Sequence, residues 1–460
     1  MRISGIVARA LVAHNPRMQR WVLVILLAFA ARAHADDPKL VYQKFELANG
    51  MRVYVLEDHK APLVHEVMWA RVGSKDELAH HTGFAHLFEH LMFKGSAHLP
   101  DGLMDRLLEA AGGWSDASTS SDATVYENVA TSSFLEQVLW IEADRIAGLT
   151  DTLDQAKLDN QRDVVLNERR QSVENQPYGM ADLVVAENLW PADYAYHWPP
   201  IGHVADIRAA ALDDVRAFFE KYYVPNNLTM VIAGDVTLAQ VKPLVTRYFA
   251  WIPRAPEPVR PTYKAPAALA KSIEVTTTDD VKVPRVYIAW RAPAAYSHDE
   301  PAVDVAASIL GGGKSSRLYK RLVYAEKIAQ DVSAYSYSEE LAGEVEVVVT
   351  AKPGVDPKRL LREVSDEVAR LAAGEPEAGE LERASNSHEA EFLSGLESTL
   401  SRAQRLAEYD VLAHDPDFFA KDLARYRAVT AADVRAATAT YLLPKARVVL
   451  TVNPGKKVRP

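Results

Sequence analysis

DDVRAFFEKYYVPNNLTMVIAG at 213–234 and ADVRAATATYLLPKARVVLTVN at 432–453 are two versions of one pattern, and that pattern decides the fold. Asp-Val-Arg-Ala starts at Asp214 and again at Asp433. Tyr222 and Pro225 recur at the same offset, as Tyr441 and Pro444. Each stretch reads as a helix, a proline-marked break and a buried apolar strand. Three elements kept in one register are a duplication, so the spacing predicts two homologous α/β halves of about two hundred residues each.

The rest of the chain is organised around that repeat. Residues 252–272, IPRAPEPVRPTYKAPAALAKS, are proline-rich, and such a segment stays extended as a semi-rigid linker. Strand-like runs open each half, MRVYVLED at 51–58 and RVYIAW at 285–290. Helical runs come after them, for example LMDRLLEAA at 103–111 and SFLEQVLWIEADRI at 133–146. The expectation is an α+β protein of two sandwich-like halves, 36–252 and 273–460, joined by a linker at 253–272. At 460 residues the chain is too long for one ordinary core, which agrees with that division.

Residues 86–90 read HLFEH. On a helix His86 and His90 are four apart, so both imidazoles project from one face and can bind one metal. Glu89 lies one residue before the second histidine, where it can take a proton from a metal-bound water. This reverses the commoner HExxH order. A catalytic zinc site wants three protein ligands and a water, so a third ligand must come from elsewhere. Glu168 is the best candidate, far downstream of His90 on a strongly helical stretch from 154 to 174. Asp163, five residues earlier on that stretch, is rotated well away from it. The bland alternative is a surface helix carrying two incidental histidines.

Residues 1–35 differ in composition from the rest of the chain. They hold Arg2, Arg9, Arg17, Arg20 and Arg32, no lysine and no acid, with an apolar run at 21–31 and Ala33-His34-Ala35 before Asp36. That is the pattern of a secretory signal peptide, with Met1 or Met18 as its start, and it points to the periplasm. A mitochondrial transit peptide is the rival reading, but a continuous apolar run is poorly amphipathic. The run at 21–31 is also too short for a membrane anchor. Removing the segment takes the net charge from −10 to −15 (−10 minus five arginines). An acidic body argues against nucleic acid as a partner and favours cationic or neutral peptides. With no cysteine, metal ligation must use histidine and carboxylate.

GFAHLFEHLMFKGS at 83–96, GGWSDASTSSDATVYENV at 112–129 and VVLNERRQ at 164–171 closely resemble, in order and spacing, the pitrilysin, insulin-degrading enzyme and mitochondrial processing peptidase family. The resemblance extends over nearly all of the chain beyond the leader. It implies zinc held by His86, His90 and Glu168, with Glu89 as general base. It also implies that Asp116, Ala117, Ser118 and Thr119 form an edge strand beside the bound peptide. The two halves would enclose a substrate chamber together with a partner chain.

The chain also departs from the family pattern. Gln161 stands where a second acid is usual two helical turns before Glu168, and it can hydrogen-bond a zinc-bound histidine as an outer partner. Asp116 stands where many relatives have asparagine. Active members of the family carry an arginine and a tyrosine, seven apart, that hold the substrate backbone and stabilise the oxyanion. Here GGGKSSRLYKRLVYAEKIAQDVSAY puts Val323 and Gln330 at those positions, with Arg321 and Tyr324 close by but out of register. The glycine run at 311–313 lacks the spacing of a phosphate loop. The expectation is a secreted zinc endopeptidase subunit acting on peptides or unfolded small proteins. A homologous partner would supply the missing pair in a heterodimer; a homodimer drawing on Arg321 or Tyr324 is the alternative assembly. The alternative function is a non-catalytic peptide-binding or scaffold subunit.

Overall fold

The computed structural model describes residues 39–457, so the leader expected at 1–35 lies outside the described residues. The first half begins with strands β1 (Gln43–Glu46), β2 (Arg52–Glu57) and β3 (Leu63–Ala70). Helices α1 (Phe84–Leu91) and α2 (Leu103–Ala110) lead into β4 (Trp114–Thr119) and β5 (Thr124–Thr131). Five helices come next: α3 (Leu135–Thr152), α4 (Gln155–Arg169), α5 (Ala181–Leu189), α6 (Val204–Ala209) and α7 (Leu212–Tyr222). Strand β6 (Leu228–Gly234) and α8 (Leu238–Phe249) close the half.

The second half repeats the plan with β7 (Ile273–Asp279), β8 (Arg285–Ala292), α9 (Glu300–Gly311), β9 (Ala329–Ser338) and β10 (Gly343–Ala351). Helices α10 (Pro357–Ala373), α11 (Ala378–Ser394), α12 (Thr399–Val411), α13 (Phe418–Arg427) and α14 (Ala431–Tyr441) precede β11 (Arg447–Pro454). The repeat read from the sequence is the α7–β6 unit and its copy α14–β11. Helix and strand are displaced by one and the same interval, from Leu212 to Ala431 and from Leu228 to Arg447.

Each half carries one sheet. The strand orders are β1-β2-β6-β3-β5-β4 and β7-β11-β8-β10-β9, so the second is the first without β1. The late strand runs parallel to its outer neighbour and antiparallel to its inner one in both sheets. This topology corrects one expectation. RVYIAW belongs to β8, the counterpart of β3, and the second sheet opens instead with β7, IEVTTTD. An edge strand covered on one face alternates half-buried and exposed residues, so it lacks the apolar run that marks a central strand.

One face of each sheet packs on its own half's helices, and the other face is covered by a helix from the opposite half. Tyr54, Leu56, Val67, Val125, Val231 and Ala233 of the first sheet meet Ala403, Leu406 and Ala407 of α12. Reciprocally, Tyr287, Ala289, Val448, Leu450 and Val452 of the second sheet meet Ala181, Val185 and Leu189 of α5. Helix α12 stands after α5 at almost the interval that separates the two copies of the repeat, so the exchange is between equivalent helices. The connecting segment at 253–272 has no regular secondary structure. It is nonetheless strapped to the first half. Arg260 donates to Asp76 Oδ1 at 2.6 Å and to the Arg71 carbonyl at 2.6 Å, and the Tyr263 hydroxyl donates to the Lys75 carbonyl at 2.7 Å. Among the described residues no helix is long and apolar enough to cross a membrane.

Candidate metal centre

Helix α1 is short, and its placement depends on a group outside it. Gly83, the residue before its first turn, has φ 85°, a left-handed conformation that favours glycine. The buried Glu77 carboxylate then takes the amide N–H of Gly83 at 2.9 Å and of Ala85 at 2.8 Å, and the Trp198 indole N–H at 3.0 Å. A carboxylate at a helix N-terminus satisfies amides that have no partner within the helix. Burial pushes this carboxyl up to about 8, and the three donors oppose that rise. Glu77 belongs to no motif; a lone acid six residues before a glycine carries no readable signal.

So anchored, α1 buries Leu87, Phe88 and Leu91 and turns His86 and His90 toward α4. Their Nε2 atoms lie 3.3 Å apart. Glu168, near the end of α4, spans the pair, with Oε1 at 3.6 Å from His86 Nε2 and Oε2 at 3.2 Å from His90 Nε2. Two ligands at about 2.0–2.1 Å from a tetrahedral ion stand about 3.3 Å from one another, which is the separation of the two imidazole nitrogens. Burial lowers the His86 pKa to about 4, with His90 adding to the effect, and burial lowers His90 as well. Both rings are therefore neutral at pH 7 and offer lone pairs, as metal ligation requires. The donor set, two imidazoles and a carboxylate with no thiolate, fits a borderline divalent ion such as zinc.

Outer contacts differ between the two histidines. Gln161, buried two turns before Glu168, donates to Asn160 Oδ1 at 2.7 Å and lies beside His90. The buried Nδ1 of His86 has no hydrogen-bond partner among the described residues. Asp163 is exposed on another side of α4, and Glu174 pairs with Arg169 at 3.3 Å in the π-helical turn Arg170–Glu174.

Two carboxylates border the imidazole pair. Donor atoms of His86, Glu89 and His90 all lie within 4.8 Å of one another, so proximity alone would also admit Glu89 as a ligand. Hydrogen bonding separates them. Glu89 Oε2 accepts from the Thr119 hydroxyl at 2.5 Å, whereas the Glu168 carboxylate meets only the imidazoles among the described residues. Burial raises the Glu89 pKa to about 7; Thr119 opposes the shift, and Glu168 and Asp116 add to it. That value suits a group that accepts and returns a proton near neutrality.

Thr119 ends β4, which lies at the rim of the first sheet. Ala117 and Thr119 face the α1 side, and Asp116 and Ser118 face outward. Gly113 lets the chain turn into this strand, since a Cβ there would stand 1.8 Å from the Val129 carbonyl oxygen. The outer edge of β4 has no strand partner among the described residues, so an extended peptide can pair there. A cavity of about 1160 Å³ lies elsewhere, lined in part by Arg162, Asp163 and Leu166 of α4. None of the four converging residues lines it.

In the second half, α9 occupies the place of α1 and contains no histidine. Val323 packs against the second core, and Gln330 is exposed at the start of β9. Arg321 is engaged by Glu326 and Glu367, each at 3.2 Å, and by Glu363. Tyr324 is exposed and stacks edge-on against Tyr319.

Comparison with known proteins finds two family models along the chain. Residues 52–196 match the model described as Insulinase (Peptidase family M16), and residues 210–387 match the Peptidase M16 inactive domain. The chain is 30% identical to the zinc protease PqqE of Helicobacter pylori over 84% of its own length and 87% of that protein. A protease structure from Helicobacter pylori superposes with a TM-score of 0.83 at 26% identity, covering 91% of this chain and all of that one. The periplasmic protease PqqL from Escherichia coli shares the fold at a TM-score of 0.75 and 17% identity, over 93% of this chain and 50% of that one.

Proposed function

This chain belongs to the M16 peptidase family, and from that premise we propose that it is the metal-bearing subunit of a zinc endopeptidase. The observation that carries the proposal is the convergence of His86, His90 and Glu168 beside a hydrogen-bonded Glu89 and an unpaired strand edge. His86, His90 and Glu168 would hold zinc, which when bound supplies Lewis-acid polarisation of the scissile carbonyl and acidifies a coordinated water. Glu89 takes the proton of the attacking water and passes it to the leaving amine. Gln161 steadies His90. Asp116, Ala117, Ser118 and Thr119 receive the peptide as an added strand, which selects extended or unfolded substrates.

The resemblance expects an arginine and a tyrosine to hold the oxyanion; in the second half Val323 and Gln330 stand at those positions, and the acids around Arg321 occupy its guanidinium. We therefore assign that role to a partner of the same fold, the two chains enclosing a chamber, with the pair working in the periplasm after removal of residues 1–35. The assay is peptide hydrolysis by the chain alone and mixed with a homologous chain carrying the arginine and tyrosine. Alone it should bind about one zinc and turn over at least a hundredfold more slowly, the scale of losing one oxyanion donor. Glu89→Gln should keep the zinc and abolish turnover in the mixture. Full activity of the single chain would remove the partner, and a chain without zinc would favour a scaffold role.

A further inference from the structure

We propose that Thr119 is a positioning residue that sorts the two carboxylates at the metal: its hydroxyl holds Glu89 off the imidazole pair and so leaves Glu168 to complete the ligand set. The inference rests on the zinc reading above and adds to it the reason why one glutamate serves as ligand and the other as base. The problem is physical. Glu89 has its donor atoms within 4.8 Å of those of His86 and His90, and a carboxylate that close to a dication on two imidazoles is itself an apt ligand. Were it to bind, the site would lose its base and gain a closed shell. A competing bond must keep it away.

Thr119 supplies that bond, and its proton is committed to Glu89. Its Oγ1 lies 2.5 Å from Glu89 Oε2 but 3.5 Å from Thr124 Oγ1, too long to compete. Thr124 in turn donates to the Val72 carbonyl at 2.9 Å, so its own proton is spent as well. Behind Thr124 stands the buried Tyr223, whose hydroxyl is 2.8 Å from that of Tyr126. Backbone pairing of Thr119 with Thr124 sets the direction in which the hydroxyl points. A slip of one residue in that register would turn it to the outer face. Glu89 Oε1 has no donor among the described residues and is the oxygen left for the water. The Glu168 side chain has no competing donor at all among the described residues, so it is free to ligate.

The test reads metal affinity, which needs neither substrate nor partner. Zinc is the probe, measured by chelator competition on the full chain. Thr119→Val removes the donor and keeps the shape. Alone it should hold zinc as well as wild type, while Glu168→Gln binds far more weakly. In the double variant Glu89 is released to act as the third ligand, and affinity should recover at least about tenfold over Glu168→Gln. Thr119→Ser in the same background keeps the donor and should give no recovery. Thr119→Ala, which also lacks the donor, must behave as the valine does. In the assembly that hydrolyses peptides, Thr119→Val should lower kcat with KM little changed, and Thr119→Ser should restore it. A double variant no tighter than Glu168→Gln, or a Thr119→Val with wild-type kcat, would overturn the proposal while leaving the zinc reading intact. A wild-type chain that binds no zinc would instead sink both.

Discussion

Glu168 reaches the imidazoles with a side chain that is 40% exposed, so on the proposed zinc reading the metal, more than packing, would keep it there. Glu168→Gln should lower zinc affinity at least about a hundredfold, beyond the 10–100-fold typical of losing an outer partner. Glu174→Gln should leave it unchanged, because Glu174 is spent on Arg169; equal losses at both positions would reject Glu168 as the ligand. His86, Glu89 and His90 are legible in the sequence because helical spacing alone puts them on one face. The Thr119 hydroxyl is not, since it meets Glu89 through a strand register that no local pattern encodes. Buried acids outside the site are equally silent in sequence. Glu346 on β10 is 3% exposed, and burial pushes its carboxyl from 4.5 to about 8 even with the Tyr335 hydroxyl donating to it at 2.5 Å. The folded protein therefore binds this proton more tightly than the unfolded chain. Its contribution to stability is full below pH 4.5 and is lost as pH rises toward about 8. Glu346→Gln, neutral at every pH, should reduce the fall in Tm between pH 5 and pH 8, by about 1 °C for each kcal/mol in a chain of this size. An undiminished fall would place the titration on other acids.

Helix α1 shows how little of an element's stability lies in its own sequence. Eight residues are too few to be helical alone, so tertiary contacts must hold it. One is the stack of Phe88 on Phe219, with ring centroids 5.0 Å apart; the other is Glu77 at the N-terminus. Glu77→Ala would leave two amides at the helix start without an acceptor and the Trp198 indole with only the Ser74 carbonyl, at 3.3 Å. That should cost roughly 2–4 kcal/mol, since each unsatisfied buried donor costs about 1–3 kcal/mol. Zinc affinity should fall with it, because the two imidazoles ride on this helix. Urea unfolding of the metal-free protein and chelator competition would read the two effects separately, and an unchanged midpoint would show that the cap carries no weight. At this scale the sequence is most legible where an element is amphipathic or wholly buried: α2, α3, β2 and β8 fall within two or three residues of their expected bounds, except that α3 runs six further, to Thr152. It is least legible at β7, an edge strand rich in threonine that only its parallel pairing with β11 defines.

At the scale of the whole molecule, the duplication is visible in sequence because both halves keep the α7–β6 unit. The exchange of α5 and α12 between sheets is invisible, because it joins surfaces far apart in sequence. That exchange makes the halves mutually dependent. Asp410 on α12 accepts from the Tyr54 hydroxyl at 2.5 Å and the Thr229 hydroxyl at 2.9 Å, and pairs with Arg52 at 2.8 Å, all three on the first sheet. A second link joins the hairpin turns beyond β4 and β9. Buried Lys75 reaches the Asp122 carbonyl at 2.8 Å and Glu340 at 3.0 Å, and Tyr196 hydrogen-bonds Asp122 at 3.0 Å. The turn that ends β4 is thus braced by the second half. If residues 40–252 are expressed alone, Tyr54, Leu56, Val67, Val125, Val231 and Ala233 lose their cover, and an apolar patch of that kind aggregates or captures another surface. The fragment should bind a hydrophobic dye, unfold without a sharp transition and hold zinc weakly. Co-expressed with residues 253–460, it should reassemble, regain a cooperative transition and recover zinc. Asp410→Ala in the intact chain should act in the same direction, costing about 3–5 kcal/mol, as breaking a buried ion pair does. A first half that alone unfolds cooperatively and binds zinc like the whole chain would show that the exchanged helices merely decorate two independent domains.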